Sequence, residues 1–237
     1  MPGAWLILPT FNEAENVEAV LLAALEQLAA TGMECTILVV DDGSPDGTGE
    51  IADRVAGEHP QVRVMHRPAK EGLGRAYLAG FDHALANGAD LVLEMDADFS
   101  HDPADLPRLI AAADAADLVL GSRYVPGGGV QNWGRLRRLL SRGGSWYARV
   151  LLGIPVRDLT GGFKCFNRRV LEALDLRGVH ADGYGFQIEL TYRAIRAGFT
   201  VAEVPIMFRE RRDGHSKMTA RIALEAVWKV PALRLRR

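Results

Sequence analysis

Two cysteines in 237 residues exclude the disulfide framework of a small secreted domain, which needs several pairs. Cys35 and Cys165 lie in the apolar stretches CTILVV and FKCFN, the setting of reduced, buried thiols in a cytosolic protein. No apolar run approaches the ~20 residues that a transmembrane helix requires, so any membrane contact is expected to be peripheral. Glu13, Glu15 and Glu18 stand where a secretory leader would carry a basic and then an apolar region. The loop KEGLGR matches neither a Walker loop nor a dinucleotide fingerprint, which excludes kinase and dehydrogenase readings. The histidines show no Ser-His-Asp pattern and no metal-ligand spacing. His101, beside an acidic motif, is the one to follow. His59, His66, His83, His180 and His215 read as ordinary solvated or core side chains.

What is present fits one α/β domain, since a chain of this length with 48% hydrophobic residues can bury a substantial core. The net charge of −2 hides a division: residues 1–122 carry 6 basic and 21 acidic side chains, and residues 123–237 carry 22 and 9. The first half is thus suited to cations and the second to an anion. Strand-like and helix-like segments alternate: WLILP, a helix over 14–30, TILVVDD, a helix over 47–57, VRVMHR, a helix over 73–86, LVLEMDAD, a helix over 103–115, and DLVLGSR. That rhythm predicts a mostly parallel central sheet with helices on both faces. Ligands gather at the carboxyl ends of such strands, where Pro9-Thr10-Phe11-Asn12-Glu13, Asp41-Asp42-Gly43-Ser44, Asp96-Ala97-Asp98 and Gly121-Ser122-Arg123 fall. A second half follows with a Gly-rich turn, a basic helix over 135–152, the loop DLTGGF, a helix around 186–197, the strand VAEVPIMF and a basic tail.

Asp96 and Asp98 can both turn into one cleft and offer oxygen ligands to Mg²⁺ or Mn²⁺, with phosphate oxygens completing the shell. Taken alone, Asp-x-Asp serves equally as a turn or cap, and Asp102 before Pro103 reads as a helix cap. Asp41 and Asp42 can accept hydrogen bonds from a base or ribose, whereas Asp46 reads as a cap. Asn12 and Glu13 suit a first helical turn as well as a ligand. Between Arg123 and Arg157 there are seven arginines and no acid, with Trp133, Trp146 and Tyr147 among them. An acid-free run forgoes i,i+4 pairs and points to an anionic partner that guanidinium groups grip. Nucleic acid fits arginines and aromatics together, but the acidic first half would repel a long polyanion, so a single phosphate fits better. The tail mixes Ile222, Leu224, Val227, Trp228, Val230 and Leu233 with basic residues, which suits an interfacial helix or a terminal helix packed on the core.

With these motifs in order, the chain resembles the inverting glycosyltransferases of family 2, with the GT-A (Rossmann-like) fold, and within them the dolichyl- or polyprenol-phosphate mannose synthases. The resemblance rests on LPTFNEAENV, VVDDGSPDGT, KEGLGRAY, MDADFSHDP, GSRY, RRLLSRGGSWYARVLLG, DLTGGFKCF, GYGFQIEL and EVPIMFRERRDGHSK, which span nearly the whole chain. It implies a catalytic domain over 1–208, with a donor half to about 125 and an acceptor half beyond, and a basic, membrane-proximal segment over 209–237. It implies transfer of mannose from GDP-mannose to a polyprenol monophosphate, which arrives as an anion and needs little activation. Pro9, Thr10, Asn12, Glu13, Asp41, Asp42, Lys70, Gly72 and Gly74 are then expected to hold the nucleotide, and Asp96 and Asp98 the metal. Family members often carry Gln two places beyond the second Asp; Ser100 stands there, so the third protein ligand is in question. Arg123, Arg137 and Ser141 are expected at phosphate, Arg211 and Lys217 at the donor, and Asp158 and Glu189 behind the sugar or the arginines. The implied location is the cytoplasmic face of a membrane, alone or with a separate anchoring protein. A UDP-sugar donor and a non-catalytic binding module are the two other readings.

Overall fold

The computed structural model describes residues 3–179, 183–210, 230, 231, 233 and 234. Its strands are β1 (Gly3–Thr10), β2 (Glu34–Asp41), β3 (Val62–His66), β4 (Leu91–Glu94), β5 (Leu118–Ser122), β6 (Gly129–Val130), β7 (Lys164–Asn167), β8 (Val201–Pro205) and β9 (Met207–Phe208). Its α-helices are α1 (Val17–Ala29), α2 (Thr48–Glu58), α3 (Leu73–Ala86), α4 (Leu106–Ala112), α5 (Arg135–Leu152), α6 (Arg168–Ala173) and α7 (Tyr184–Arg196). Seven strands form one sheet in the order β3-β2-β1-β4-β7-β5-β8, and β6 pairs with β9 as a separate ribbon.

Strands that are apolar on both faces need cover on both, and β1 shows how it is divided. Trp5 and Ile7 enter one core with Phe81 and Phe186; Ala4, Leu6 and Leu8 enter the other with Val20 and Leu21. All sheet pairings are parallel except those of β7, which lies antiparallel between β4 and β5. The carboxyl ends of β1, β2, β4 and β5 therefore share one edge. Strand order reverses between β1 and β4, and a crevice opens at such a point. No helix among the described residues is long and apolar enough to cross a membrane.

The expected mostly parallel sheet is present, with differences that have local causes. The segment KCFN is a strand that the sequence reading left unassigned: four residues, largely buried, carry no alternation to read. The helix expected over 14–30 starts at Val17, because Asn12 has φ 57° and the Glu13 carbonyl accepts from the N–H groups of Asn16 and Val17. Asn12 and Glu13 thus precede the helix. Pro103–Asp105 is a 3₁₀ turn before α4, with Pro107 at the helix start. Ile206 divides the expected strand VAEVPIMF between the sheet and the ribbon. In the tail, Val230 and Leu233 belong to the same apolar cluster as Ala148 and Leu152, and Arg234 Nη1 donates to the Leu151 carbonyl at 2.6 Å.

Beyond β5 the chain turns back on itself at Gly128. A Cβ there would stand 2.4 Å from the Ser122 carbonyl oxygen and 3.1 Å from the Arg123 carbonyl carbon. Because the Ser122–Arg123 backbone cannot yield as a side-chain tip can, Gly128→Ala is expected to destabilise by about 1–3 kcal/mol; a urea midpoint equal to the parent's would contradict this packing.

Candidate active site

At the end of β4 the chain makes a tight turn that holds two carboxylates. Asp98 is buried and its Oδ1 accepts from Ser100 N at 2.9 Å, while Phe99 takes φ 57°. Asp96 N donates to His101 Nδ1 at 3.3 Å. The His101 ring stacks on Phe163 at 5.0 Å and meets Phe208 edge-on at 5.3 Å. Burial drives its pKa down to about 4, against the pull of Asp98, so the ring is neutral and shapes the turn. Asp102 caps the next turn as expected, accepting from Ala104 N. The Asp96 side chain is 30% exposed, and among the described residues no group of three or more His, Cys, Asp or Glu could hold a metal ion. Two carboxylates, one opening outward, fit a hard cation that draws its other ligands from phosphate and water. Ser100 supports the turn through its backbone, its carbonyl accepting from Arg209 N.

The ends of β1 and β2 are tied together across the edge. Asp41 accepts from Thr10 Oγ1 at 3.1 Å, Ser44 Oγ at 2.6 Å and Ser44 N at 3.1 Å. Asn12 N donates to Ser44 Oγ, Glu13 N to Thr48 Oγ1 and Ala14 N to Asp46 Oδ2. Asp41 therefore organises the loop and Asp46 braces it; the N-cap of α2 is Gly47 rather than the expected Asp46, whose carboxylate instead accepts from Thr48 N, Thr48 Oγ1 and Ala14 N. Asp42 pairs with Arg67 Nη1 at 2.6 Å. Burial raises the Asp42 pKa in spite of that guanidinium. Arg67 also meets Glu71, while Lys70 lies 4.1 Å above the Phe11 ring. Gly72, with φ 108°, turns the chain into α3, where Gly74 is buried in the first turn. Pro9 pairs with Val40, one step before Thr10 and Asp41 end the β1–β2 register.

Across the crevice Arg123 is buried and clamped to Asp158 through Nε and Nη2, both at 2.7 Å, with Nη2 also donating to Thr160 Oγ1. Burial alone would raise the Asp158 pKa, but Arg123 holds it below the usual range. Glu203 of β8 fixes this loop, accepting from Arg157 N, Asp158 N and Ser122 Oγ. Tyr124 donates to Ser141 Oγ at 2.6 Å. Arg137 lies 4.3 Å above Trp133 and pairs with Glu210. Glu189 pairs with Arg193 on α7. The chain at 209–210 spans the crevice, since Arg209 bonds the Ser100–Asp102 turn and Glu210 reaches α5. Arg211 and Lys217 lie outside the described residues. The sequence reading missed Glu94, Lys164, Gln187, Glu203 and Arg67; a charged residue inside an apolar strand, as in LVLEMDAD, was the available signal for Glu94.

The model of the glycosyl transferase family 2 matches residues 5–175. The chain belongs to that family. A polyprenol monophosphomannose synthase of Mycolicibacterium smegmatis is 51% identical over 95% of this chain and 84% of its own. An undecaprenyl-phosphate mannosyltransferase of Micrococcus luteus is 48% identical over 93% and 89%. Glucosyl-3-phosphoglycerate synthase of Mycobacterium tuberculosis, solved with Mn²⁺, UDP and phosphoglyceric acid, superimposes with a TM-score of 0.74 at 22% identity, covering 98% of this chain and 78% of that one. This likeness establishes the GT-A-like fold for this family 2 transferase.

Removing one partner of a buried ion pair strands the other. Asp158→Ala is therefore expected to cost about 3–5 kcal/mol in urea unfolding. A loss below about 1 kcal/mol, the scale of a surface pair, would contradict the clamp.

Proposed function

We propose that this family 2 glycosyltransferase moves mannose from GDP-mannose to a polyprenol monophosphate, with inversion, giving a lipid-linked mannosyl phosphate. The observation that carries this reading is a pair of carboxylates at the strand-order reversal, facing a half whose long helix combines arginines with an exposed apolar stripe. The names of the two mannosyl-transferring relatives support the sugar and the lipid phosphate.

In this reading Asp96 and Asp98, with Ser100 supporting the turn, hold Mg²⁺ or Mn²⁺. A cation bound there would supply charge neutralisation for a departing nucleoside diphosphate. The β1 and β2 loops, from Pro9 to Glu13 and at Asp41 and Asp42, cradle the nucleoside with the 70–74 loop. Arg123, oriented by Asp158, and Arg137 beside Ser141 receive phosphate. Arg211 and Lys217, which lie outside the described residues, are the cations assigned to the donor, and Glu189 steadies the acceptor half. The attacking oxygen belongs to a phosphate that is already anionic, so no general base is required of His101 or any other side chain.

In this reading the lipid tail remains in the bilayer while its phosphate enters the crevice, and the protein works peripherally at the cytoplasmic face of a membrane. On α5, Leu136, Leu139, Leu140, Trp146 and Val150 are each more than half exposed, and Arg135, Arg138, Arg142 and Arg149 flank them. That composition suits an apolar face in the lipid boundary with basic groups at anionic headgroups.

Purified protein with labelled GDP-mannose, polyprenol phosphate and Mn²⁺ should carry label into the organic phase, and Asp98→Ala should lower that rate by about 10²-fold or more. Label from UDP-glucose and none from GDP-mannose would overturn the donor. Leu139→Glu with Val150→Glu should abolish flotation with anionic vesicles while leaving GDP binding intact; flotation equal to the parent's would remove α5 from the membrane.

A further inference from the structure

Behind Asp96 lies a set of buried polar side chains that the proposed reaction does not use. In the β4–β7 ladder Glu94 stands opposite Lys164, and both are fully buried. Asp96 lies two residues beyond Glu94, past the end of β4, and Gly162 two residues before Lys164, ahead of β7. A Cβ on Gly162 would stand 3.3 Å from Gln187 Nε2 and 3.8 Å from Asp96 Oδ1. The absent side chain lets an amide from α7 and a carboxylate beyond β4 approach one spot.

The set is linked but incompletely satisfied. Lys164 Nζ donates to the Gln187 carbonyl at 2.8 Å. Neither oxygen of Glu94 and neither amide atom of Gln187 has a hydrogen-bond partner of normal geometry among the described residues, although Gln187 is close enough to favour the charged form of Glu94. Burial raises the Glu94 pKa to about 7 and lowers that of Lys164 to about 8. The buried Tyr77 phenol stacks on Phe186, and burial raises its pKa, with the charge of Asp96, Glu94 and Asp98 adding to the shift.

Desolvating two charges and an amide costs several kcal/mol, and apolar side chains of the same volume often do better for stability. Buried polar atoms left without partners call for an explanation other than stability, and at Gly162 these adjoin the Asp96 carboxylate.

We infer that Glu94, Lys164 and Gln187 are positioning residues, a buried brace from β4 through β7 to α7 that fixes the Asp96 carboxylate for a divalent cation. The inference rests on the reading of Asp96 and Asp98 as the metal pair. The brace ties the aim of a first-half carboxylate to a second-half helix, so a shift of α7 moves the metal site with it.

The test compares the parent with Gln187→Leu and with Glu94→Leu/Lys164→Met, neither of which changes the formal net charge. Mn²⁺ affinity in the presence of GDP is read from the electron paramagnetic resonance of free Mn²⁺, beside urea unfolding. The brace predicts Mn²⁺ affinity weakened about tenfold or more in both variants, with the urea midpoint of Gln187→Leu held and that of the double variant equal to the parent's or higher. Parent-like Mn²⁺ affinity in Gln187→Leu overturns the brace, as does weakening that only accompanies a lowered midpoint. Where the double variant does not fold, Gln187→Leu decides alone. A parent that binds no Mn²⁺ overturns the metal reading and the brace with it; a parent that binds, with variants that bind equally, overturns the brace only.

Discussion

The antiparallel strand β7, wedged between β4 and β5, is the constraint on which the site depends. It fills the hydrogen-bonding edges of two otherwise parallel strands, so the half that follows residue 123 is built into the sheet made by the half before it. The glycines that precede it bring further contacts: Gly161 lies against the Gly121 carbonyl and Asp158, and Gly162 against Gln187 and Asp96. Small residues are needed where three segments converge. With β7 in place, the carboxylates of β4 and the Arg123–Asp158 clamp face one crevice.

Charge is partly spent inside this architecture. The division between an acidic first half and a basic second half suggested a site open to a cation on one side and an anion on the other. Asp42 is held by Arg67, Arg123 by Asp158 and Arg137 by Glu210. The seven arginines without a neighbouring acid in sequence thus overstate what is presented to a ligand, because β8, the 157–160 loop and the crossing chain supply acids from elsewhere. Asp41 likewise directs its carboxylate into its own loop. Asp96 keeps a partly exposed carboxylate at the crevice, with Asp98 behind it, and Arg135, Arg138, Arg142 and Arg149 stay on the exposed face of α5.

The fold was legible where the chain repeats strand and helix with long apolar runs, and α3 and α5 have the expected bounds. It was illegible at β7, which is short and preceded by glycines that read as loop. The carboxylate pair was legible as a pair, because Asp96-Ala97-Asp98 closes an apolar strand, and the structure sets both residues in the turn after β4. Lys164 and Gln187 were not, since a lysine in FKCFN and a glutamine on a helix look solvated until the β4–β7 register buries the one and the packing of α7 the other. Glu203 was hidden for the same reason: its three backbone and hydroxyl donors come from positions 122, 157 and 158, which only the fold brings together.

The most direct test of the central claim is anomalous diffraction from crystals grown with Mn²⁺ and GDP. The account predicts a single strong peak with oxygens of Asp96 and Asp98 at about 2.0–2.6 Å and GDP phosphate oxygens completing the shell. A Mn²⁺ peak bound away from both carboxylates, with GDP in place, would contradict it.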